Sequence, residues 1–356
     1  MATAVVYSSK FLEHKVTPLH PESPRRLAKA MSALRESGLL EQVSLVEPRE
    51  ASLEEIQLVH DPGYVEHVRR LCAAGGGYLD ADTPVSRGSF EAAVYAAGAV
   101  LKACEMALRG DISSAFALVR PPGHHAGRRG IALRAPSRGF CIFNNVAIAA
   151  KAMLERGASR VAILDVDCHH GNGTQEAFYS SSKVLFISLH QHPYTLYPGT
   201  GFTHEAGEGD GLGYNINIPL PPMTGDDMYM KLIDEVVAPM LRQFKPELIL
   251  VSAGFDTHRS DPLTRMLLTE STFLHVFKLL ASLSEELKAP VVASLEGGYG
   301  EGLERGVKAA IASLAGLELE ASEPKTESSR AVKSSITSTV RELEEATGGR
   351  WGIEWS

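Results

Sequence analysis

Two acidic and two imidazole side chains follow one short apolar run of the sequence. The run covers residues 161–164, and Asp165-Val-Asp-Cys-His-His170 follows it directly. A short apolar run rich in branched residues is typical of a strand that is covered on both faces. Alternate residues of an extended chain share a face, so we expect Asp165, Asp167 and His169 to point in one direction. Side chains of these types at this spacing can bind one divalent cation.

A further carboxylate follows a second strand-like run. Residues 248–251 lead into Ser252-Ala-Gly-Phe-Asp256, and Asp256 completes a candidate ligand set with Asp167 and His169. Three protein ligands leave a position of zinc open for water or substrate, as in catalytic rather than structural sites. Oxygen and nitrogen donors also suit Fe²⁺, Mn²⁺ or Co²⁺. A single aspartate at such a position is more often a strand-end cap, but the assembled set predicts one catalytic metal ion.

Two more apolar runs end in residues that could do chemistry. Residues 115–119 lead into Arg120-Pro-Pro-Gly-His-His125, where the prolines and the glycine break the strand and leave two histidines on a loop. Residues 291–295 lead into Glu296-Gly-Gly-Tyr299, where the glycines allow a ligand to approach the backbone closely. Ligands of open parallel sheets bind outside the carboxyl ends of the strands, so we expect these loops to converge with the metal ligands.

The elements that must position these loops alternate along the chain. Helical patterns such as residues 89–109 and 273–288 lie between the strand-like runs, and this alternation predicts an α/β fold with a mostly parallel sheet and helices on both faces. A chain of 356 residues with 44% hydrophobic content can bury one large core. We therefore expect one catalytic domain over residues 1–318. The strand-like runs are residues 4–7, 115–119, 161–164, 184–189, 214–218, 248–251 and 291–295.

Residues 319–356 differ from the rest and form a charged C-terminal extension rich in Glu, Lys, Ser and Thr. Apolar residues recur there at the spacing of one amphipathic helix, and a Gly-Gly pair would end it. Two tryptophans follow, which either dock on the chain's own surface or contact a second copy in a homo-oligomer. The helix positions are Ile336, Val340, Leu343 and Ala346, and the tryptophans are Trp351 and Trp355.

Composition and charge limit the classes of partner. The formal net charge of -8 and the pI of about 5.9 argue against direct binding of nucleic acid. The first residues lack the basic start and long apolar core of a signal peptide, and no apolar run has the length of a membrane span. The cysteines lack metal-binding or redox spacing, which favours a cytoplasmic protein with reduced thiols. They are Cys72, Cys104, Cys141 and Cys168.

Six motifs follow one another along the chain: Arg120-Pro-Pro-Gly-His-His-Ala126, Gly139-Phe-Cys-Ile-Phe-Asn-Asn145, Asp165-Val-Asp-Cys-His-His-Gly-Asn-Gly-Thr-Gln175, Tyr197-Pro-Gly-Thr-Gly201, Ser252-Ala-Gly-Phe-Asp256 and Glu296-Gly-Gly-Tyr299. In register, they resemble the motifs of the histone deacetylase family, which includes the acetylpolyamine amidohydrolases and shares its fold with arginase. The resemblance extends from His20-Pro-Glu-Ser-Pro-Arg-Arg-Leu27 to about Leu317. Asn172, where many class I members have aspartate, makes the chain more similar to the class II and prokaryotic branch.

The resemblance implies a role for each residue of the presumed site. Asp167, His169 and Asp256 match the zinc ligands, and zinc at such a site activates a water molecule and polarises the amide carbonyl. Tyr299 matches the residue that donates a hydrogen bond to the developing oxyanion.

The paired histidines of the family match His124 and His125. By the family pattern His124 faces Asp165, whose charge favours the imidazolium, whereas His125 faces the neutral amide of Asn172. We therefore expect His125 to be the general base and acid, with His124 as an electrostatic and orienting partner.

Other matched positions imply a cation site and an acyl-lysine channel. Phe140 and Tyr197 match the aromatic walls of the channel, Gly139 matches a close backbone contact, and Asp82 resembles a rim aspartate for which Asp80 is the competitor. The monovalent cation, expected to be potassium, would be bound by Asp165, Ser188 and Leu189 with the backbone carbonyls of Asp167 and His169.

These assignments predict a zinc-dependent amidohydrolase that removes an acyl group, most simply acetyl, from a lysine side chain of a protein or from a small amine. An acetylpolyamine amidohydrolase, an arginase-like binuclear manganese hydrolase and a non-catalytic module that binds acylated ligands are the alternatives. The arginase-like hydrolase needs more aspartates than Asp165, Asp167 and Asp256. The presence of Tyr299 and of both histidines argues against the non-catalytic module. Residues 127–138, beside the expected channel mouth, contain four arginines that could bind an acidic substrate but more simply pair with acidic neighbours.

Overall fold

A sheet of eight parallel strands forms the centre of the fold, in a computed structural model that describes residues 2–353 and 355–356. Two short antiparallel hairpins lie outside this sheet, one formed by residues 76–78 and 84–86 and the other by residues 126–127 and 130–131. The strands are β1 (Thr3–Val6), β2 (Ser44–Val46), β3 (Gly76–Tyr78), β4 (Pro84–Ser86), β5 (Ser114–Ala117), β6 (Ala126–Gly127), β7 (Gly130–Ile131), β8 (Val161–Asp165), β9 (Val184–Gln191), β10 (Asn215–Leu220), β11 (Leu248–Ala253) and β12 (Val291–Leu295).

Helices pack around the sheet, and a π-helical turn, Ile233–Val237, joins the helices of residues 226–232 and 238–244. Within the described residues, each helix is too short or too polar to cross a bilayer. The α-helices are α1 (Arg25–Glu36), α2 (Leu53–Gln57), α3 (Pro62–Ala73), α4 (Ser89–Leu108), α5 (Asn145–Glu155), α6 (Asn172–Phe178), α7 (Asp226–Leu232), α8 (Ala238–Phe244), α9 (Glu270–Leu287), α10 (Gly302–Leu314) and α11 (Arg330–Ala346), and the 3₁₀ turns are Ser9–Glu13, Leu39–Glu41 and Gly209–Gly211.

The strand order explains why distant motifs meet. The order across the sheet is β10-β9-β8-β11-β12-β5-β1-β2, so the four strands that precede the candidate site loops are direct neighbours. All residues of β8, β11, β12 and β5 are buried, as expected for apolar strands that are covered on both faces. Their carboxyl ends lie at one edge of the sheet. The predicted α/β class with a parallel sheet is confirmed.

One local expectation is wrong, and one strand of the central sheet was not predicted. The extended conformation does not persist beyond Asp165: β8 ends there and residues 167–169 form a bend, in which the His169 N–H donates to Asp167 Oδ1 at 2.8 Å. A short polar side chain that accepts a local backbone hydrogen bond favours such a turn over a strand. Strand β2 was not predicted, because a segment of three mostly exposed residues, Ser44–Val46, does not form an apolar run.

The C-terminal extension docks on the chain's own surface. Helix α11 packs on the edge strand β10 and buries Ile336, Val340 and Leu343. Beyond it, Trp351 Nε1 donates to the Gly213 carbonyl at 2.7 Å. The Trp351 ring lies 5.7 Å from that of Tyr214, measured between centroids. The extension therefore covers an outer strand of the sheet, as an edge-protecting element does.

Candidate active site

Three side chains that follow β8 and β11 converge on one point. Donor atoms of Asp167, His169 and Asp256 all lie within 4.8 Å of one another. His169 Nδ1 lies 3.1 Å from Asp167 Oδ1 and 2.9 Å from Asp256 Oδ2. Backbone N–H groups fix the carboxylates, since Gly297 donates to Asp167 and Cys168 donates to Asp256, both at 2.8 Å.

The chemistry of this set fits a divalent metal. Burial disfavours a charged imidazole, but hydrogen bonds to both carboxylates raise the pKa of His169 to about 10, so the cluster favours positive charge at its centre. Two glycines clear the space, because a Cβ at Gly254 would overlap the Asp167 carboxylate and one at Gly297 would overlap that of Asp256. Imidazole nitrogen and carboxylate oxygen are ligands of Zn²⁺, Fe²⁺, Co²⁺ and Mn²⁺.

The first histidine of the loop after β5 is held as a cation. His124 Nδ1 lies 2.9 Å from Asp165 Oδ2, and both side chains are buried. Burial opposes its charge, but Asp165, Asp167 and Glu296 outweigh burial and raise the pKa of His124 to about 10. The other Asp165 oxygen accepts the Asp167 N–H at 3.1 Å, so the same carboxylate orients the histidine and the ligand loop.

The second histidine is held neutral. His125 Nδ1 lies 2.7 Å from Asn172 Oδ1, and Asn172 Nδ2 donates to the Ala132 carbonyl at 3.1 Å. The Asn172 oxygen therefore faces the imidazole, which places the proton of a neutral His125 on Nδ1 and leaves Nε2 as an acceptor. Burial and the charges of His124 and His169 lower the pKa of His125 well below its usual value. Of the two adjacent imidazoles, His124 is therefore protonated and His125 is neutral.

A buried carboxylate joins the histidine loop to the loop that carries Tyr299. Glu296 Oε2 accepts the N–H of Gly123 at 2.7 Å and that of His124 at 3.2 Å. Burial raises the pKa of Glu296 to about 7, although the charge of His124 acts against this rise. Glu296 was noted in the sequence only as part of a motif, and its contacts with residues more than 170 positions earlier leave no local signal.

Arg26 holds the same loop from the other side. Its guanidinium donates to the carbonyls of Glu296, at 2.5 Å, and of Gly298, at 2.7 Å. It also lies 4.7 Å from the centroid of the Tyr299 ring. Burial raises the pKa of the Tyr299 phenol well above its usual value even though Arg26 lowers it, so the phenol is a hydrogen-bond donor at neutral pH.

Arg26 is itself held by Glu22, which also binds Arg120 of the Arg-Pro-Pro-Gly-His-His motif. The buried Glu22 carboxylate binds the buried Arg120 through two hydrogen bonds of 2.6 Å and accepts Arg26 Nη1 at 3.0 Å. Sequence reasoning placed Glu22, Arg26 and Arg120 inside motifs but gave none of them a role. Their presence in the His-Pro-Glu and Arg-Pro-Pro-Gly-His-His segments was the available signal.

A cavity of about 250 Å³ opens onto these groups. Phe140 and Tyr197 form part of its wall, and the Tyr197 hydroxyl donates to the Ser137 carbonyl at 2.8 Å. Gly139 adopts φ +52°, and a Cβ there would overlap the His125 ring, so this position requires glycine. The cavity is lined by Asp82, Pro122, His124, His125, Gly139, Phe140, Asp167, His169, Leu196, Tyr197, Leu263, Gly297 and Tyr299.

The two rim aspartates have different partners. Asp82 lines the cavity and accepts the hydroxyls of Ser137 and Thr83. Asp80 instead forms an ion pair with Arg138 at 3.1 Å. The remaining arginines of residues 127–138 are exposed, so the arginine-rich loop is attached to the rim through Asp80 and Ser137.

The residues expected at the monovalent cation site lie on adjacent strands. Asp165 of β8 pairs in register with Ser188 of β9, and Leu189 follows in the same buried strand. The Ser188 hydroxyl lies 2.8 Å from His190 Nδ1. The geometry brings the side chains of Asp165 and Ser188 together, and their role in binding potassium stays a prediction.

The family model described as a histone deacetylase domain matches residues 20–314. This chain belongs to the histone deacetylase family. It is 44% identical over 304 residues to a probable deacetylase of Archaeoglobus fulgidus, covering 84% of this chain and 82% of that protein. It is 40% identical over 284 residues to a histone deacetylase-like amidohydrolase of Pseudomonas aeruginosa, covering 79% and 73%.

The structural likeness is equally extensive. The crystal structure of the HDA15 HD domain matches with a TM-score of 0.89 and 34% identity, and the match covers 98% of this chain and 95% of that one. The chain is therefore a hydrolase of the deacetylase type, with the fold of this histone deacetylase family. Helix α11 lies outside the residues that the family model matches.

Proposed function

We propose that this deacetylase hydrolyses an acyl amide, most simply acetyl, on a lysine side chain, with one zinc ion held by Asp167, His169 and Asp256. The observation that supports this most is the arrangement of three sets of groups around one cavity: the ligand cluster, the oppositely protonated histidines and the Tyr299 phenol. When bound, the metal would supply Lewis acidity to the amide carbonyl and acidify a water molecule.

His125 acts as the proton carrier in this proposal. Its Nε2 accepts the proton of the attacking water, while the Asn172 amide keeps the other proton on Nδ1. The same Nε2 then returns the proton to the departing amine nitrogen. His124 stays charged beside Asp165 throughout and stabilises negative charge that develops in the cavity.

Tyr299 supplies the remaining donor. Its protonated phenol donates to the carbonyl oxygen as that oxygen gains charge, and a preorganised donor of this kind contributes about 3 kcal/mol to transition-state stabilisation. Arg26 keeps the backbone of this loop in place through two carbonyls. The Glu296 carboxylate keeps the histidine loop at a fixed distance from it.

The cavity favours a lysine side chain over a polyamine. The aromatic walls Phe140 and Tyr197 suit the four methylene groups of a lysine stem, and the rim carboxylate of Asp82 can accept a substrate backbone N–H. A free polyamine would place further ammonium groups at the mouth. Among the described residues that line the cavity, Asp82 is the one carboxylate outside the metal set, and two hydroxyls already donate to it.

A potassium ion beside this centre is part of the proposal. Asp165, Ser188 and Leu189 would bind it with the backbone carbonyls of Asp167 and His169, and it would keep the ligand loop in its present conformation. Oxygen ligands of this kind suit a hard cation.

The experiment compares kcat/KM of the zinc-reconstituted enzyme for acetyl-lysine peptides, longer acyl-lysine peptides and acetylated polyamines under identical conditions. The highest value is expected for an acyl-lysine peptide. A preference for the polyamines would replace the proposed substrate while the chemistry stands. Two metal ions per chain by elemental analysis would favour the arginase-like alternative, and binding without turnover would favour a non-catalytic module.

A further inference from the structure

Four aromatic side chains form a surface cluster beside the cavity, here named the aromatic shelf: His192, Tyr194, Phe202 and His204. The ring of Tyr194 lies 5.3 Å from that of His192 and 5.1 Å from that of Phe202, and Phe202 stacks on His204 at 5.5 Å. Tyr194 is 85% exposed. His204 is also exposed, whereas His192 and Phe202 are half-buried, and aromatic rings that are grouped in this way, rather than scattered singly, suit contact with a ligand.

The shelf is continuous with the mouth of the cavity. Tyr194 precedes Tyr197, which lines the cavity, by three residues, so their Cα atoms lie at most about 11 Å apart. The turn that carries Tyr194, residues 192–195, is held by two hydrogen bonds from Thr195 to the His192 carbonyl, both of 2.8 Å. Gln191 Nε2 donates to the Thr195 hydroxyl at 3.1 Å. These contacts therefore hold the backbone that carries Tyr194 in one conformation, next to the cavity wall that Leu196 and Tyr197 form.

Negative charge borders the shelf on two sides. Glu342 of α11 accepts the Thr203 hydroxyl at 3.3 Å, and Glu205 accepts the Phe202 N–H at 3.2 Å. The ion pairs found among the described residues leave Glu342 without a cationic partner. Burial lowers the pKa of His192 although Glu342 opposes this, so this ring is neutral at pH 7. Exposed aromatic faces next to unpaired carboxylates attract a cation.

We propose that the aromatic shelf and Glu342 form a subsite for an arginine or lysine side chain that lies two to four residues from the acyl-lysine in a peptide substrate. This inference rests on the proposed function. Two to four extended residues span about 7–14 Å, a range that includes the upper limit of about 11 Å between the Cα atoms of Tyr194 and Tyr197. The net charge of -8 also favours cationic peptides. The C-terminal extension thereby contributes a specificity residue to the site.

The test uses pairs of acetyl-lysine peptides in which arginine or glutamine occupies each position from four residues before to four after the acetyl-lysine. With the zinc-loaded wild-type enzyme, we expect KM at the best position to be about two- to five-fold lower for the arginine peptide, with equal kcat. Tyr194→Ala and Glu342→Gln should each bring the KM ratio of the pair towards one. Glu345→Gln, an equal charge change on the same helix, is the matched control and should keep the wild-type ratio.

The ratio within one variant is independent of its folded fraction, since loss of folded enzyme lowers kcat equally for both peptides. Equal KM values for arginine and glutamine peptides at every position in the wild type would overturn the subsite. The wild-type ratio in Tyr194→Ala would also overturn it. If the wild type hydrolyses none of the acetyl-lysine peptides, the proposed function itself fails, whereas hydrolysis without dependence on arginine rejects the subsite alone.

Discussion

Replacing Asn172 by aspartate tests the role of His125 with little change of shape. Asn172 Oδ1 lies 2.7 Å from His125 Nδ1 and the amide is fully buried. A carboxylate there would stabilise the imidazolium. Two unit charges about 4 Å apart interact by about 4 kcal/mol at an effective dielectric constant of about 20, or about 3 pH units. The cost of burying the new charge offsets part of this, so the pKa of His125 should rise by about 1–3 pH units.

The assay is the pH dependence of kcat/KM. In the proposed mechanism Nε2 must be unprotonated to accept the proton of water, so activity should be lost below the pKa of His125, and Asn172→Asp should move the acidic limb of the profile to higher pH. Asn172→Ala is the control, because it removes the hydrogen bond without adding charge, and it should lower kcat without this upward movement. An acidic limb that stays in place or moves to lower pH in Asn172→Asp would refute His125 as the base.

Three further outcomes are expected. Tyr299→Phe should lower kcat about 100-fold or more with a small change in KM, and a kcat near that of the wild type would remove the phenol from the mechanism. Glu296→Ala should lower the free energy of unfolding by urea by about 1–3 kcal/mol, because the N–H groups of Gly123 and His124 lose their acceptor. Glu296→Gln, whose amide oxygen still accepts these hydrogen bonds, should lower it less. Burial and Asp167 raise the pKa of Asp256 to about 7, so this carboxyl contributes stability to the metal-free enzyme that is lost as pH rises from about 4 to 7, since the folded state holds a proton there that the unfolded state releases. Buried histidines with lowered pKa values, such as His125, act in the opposite direction, so the measurement is the difference in free energy of unfolding by urea between the metal-free wild type and metal-free Asp256→Asn. That difference should move in favour of Asp256→Asn over this interval, and a difference that does not change with pH would contradict the raised pKa.

The convergence of the candidate loops at one edge of the sheet could be predicted from the sequence because each loop follows its own apolar strand. The run before Asp165 and the run before Asp256 are visible locally, and the carboxyl ends of parallel strands lie at one edge. That these two strands are direct neighbours depends on pairing between residues far apart in the chain. Local patterns carry no information of that kind.

Supporting residues were harder to predict for the same reason. Arg26 reaches carbonyl groups 270 and 272 residues away, and the Glu22 carboxylate binds Arg120 across 98 positions. A buried arginine and a buried glutamate show their importance only when their partners are known, because both types are ordinarily exposed. The expectation that the strand continues past Asp165 is wrong for a local reason, since the Asp167 carboxylate accepts a hydrogen bond from the His169 N–H.

The packing of α11 and Trp351 on the outermost strand has a practical consequence for shortened versions of the enzyme. A chain trimmed to residues 20–314 would keep every residue of the proposed chemistry. It would also lose β1 from inside the sheet and leave β10 without its cover. Open main-chain amides on such strands recruit strands of other molecules. The trimmed chain would therefore retain its catalytic residues but aggregate. Its precipitation would not be evidence of a damaged active centre.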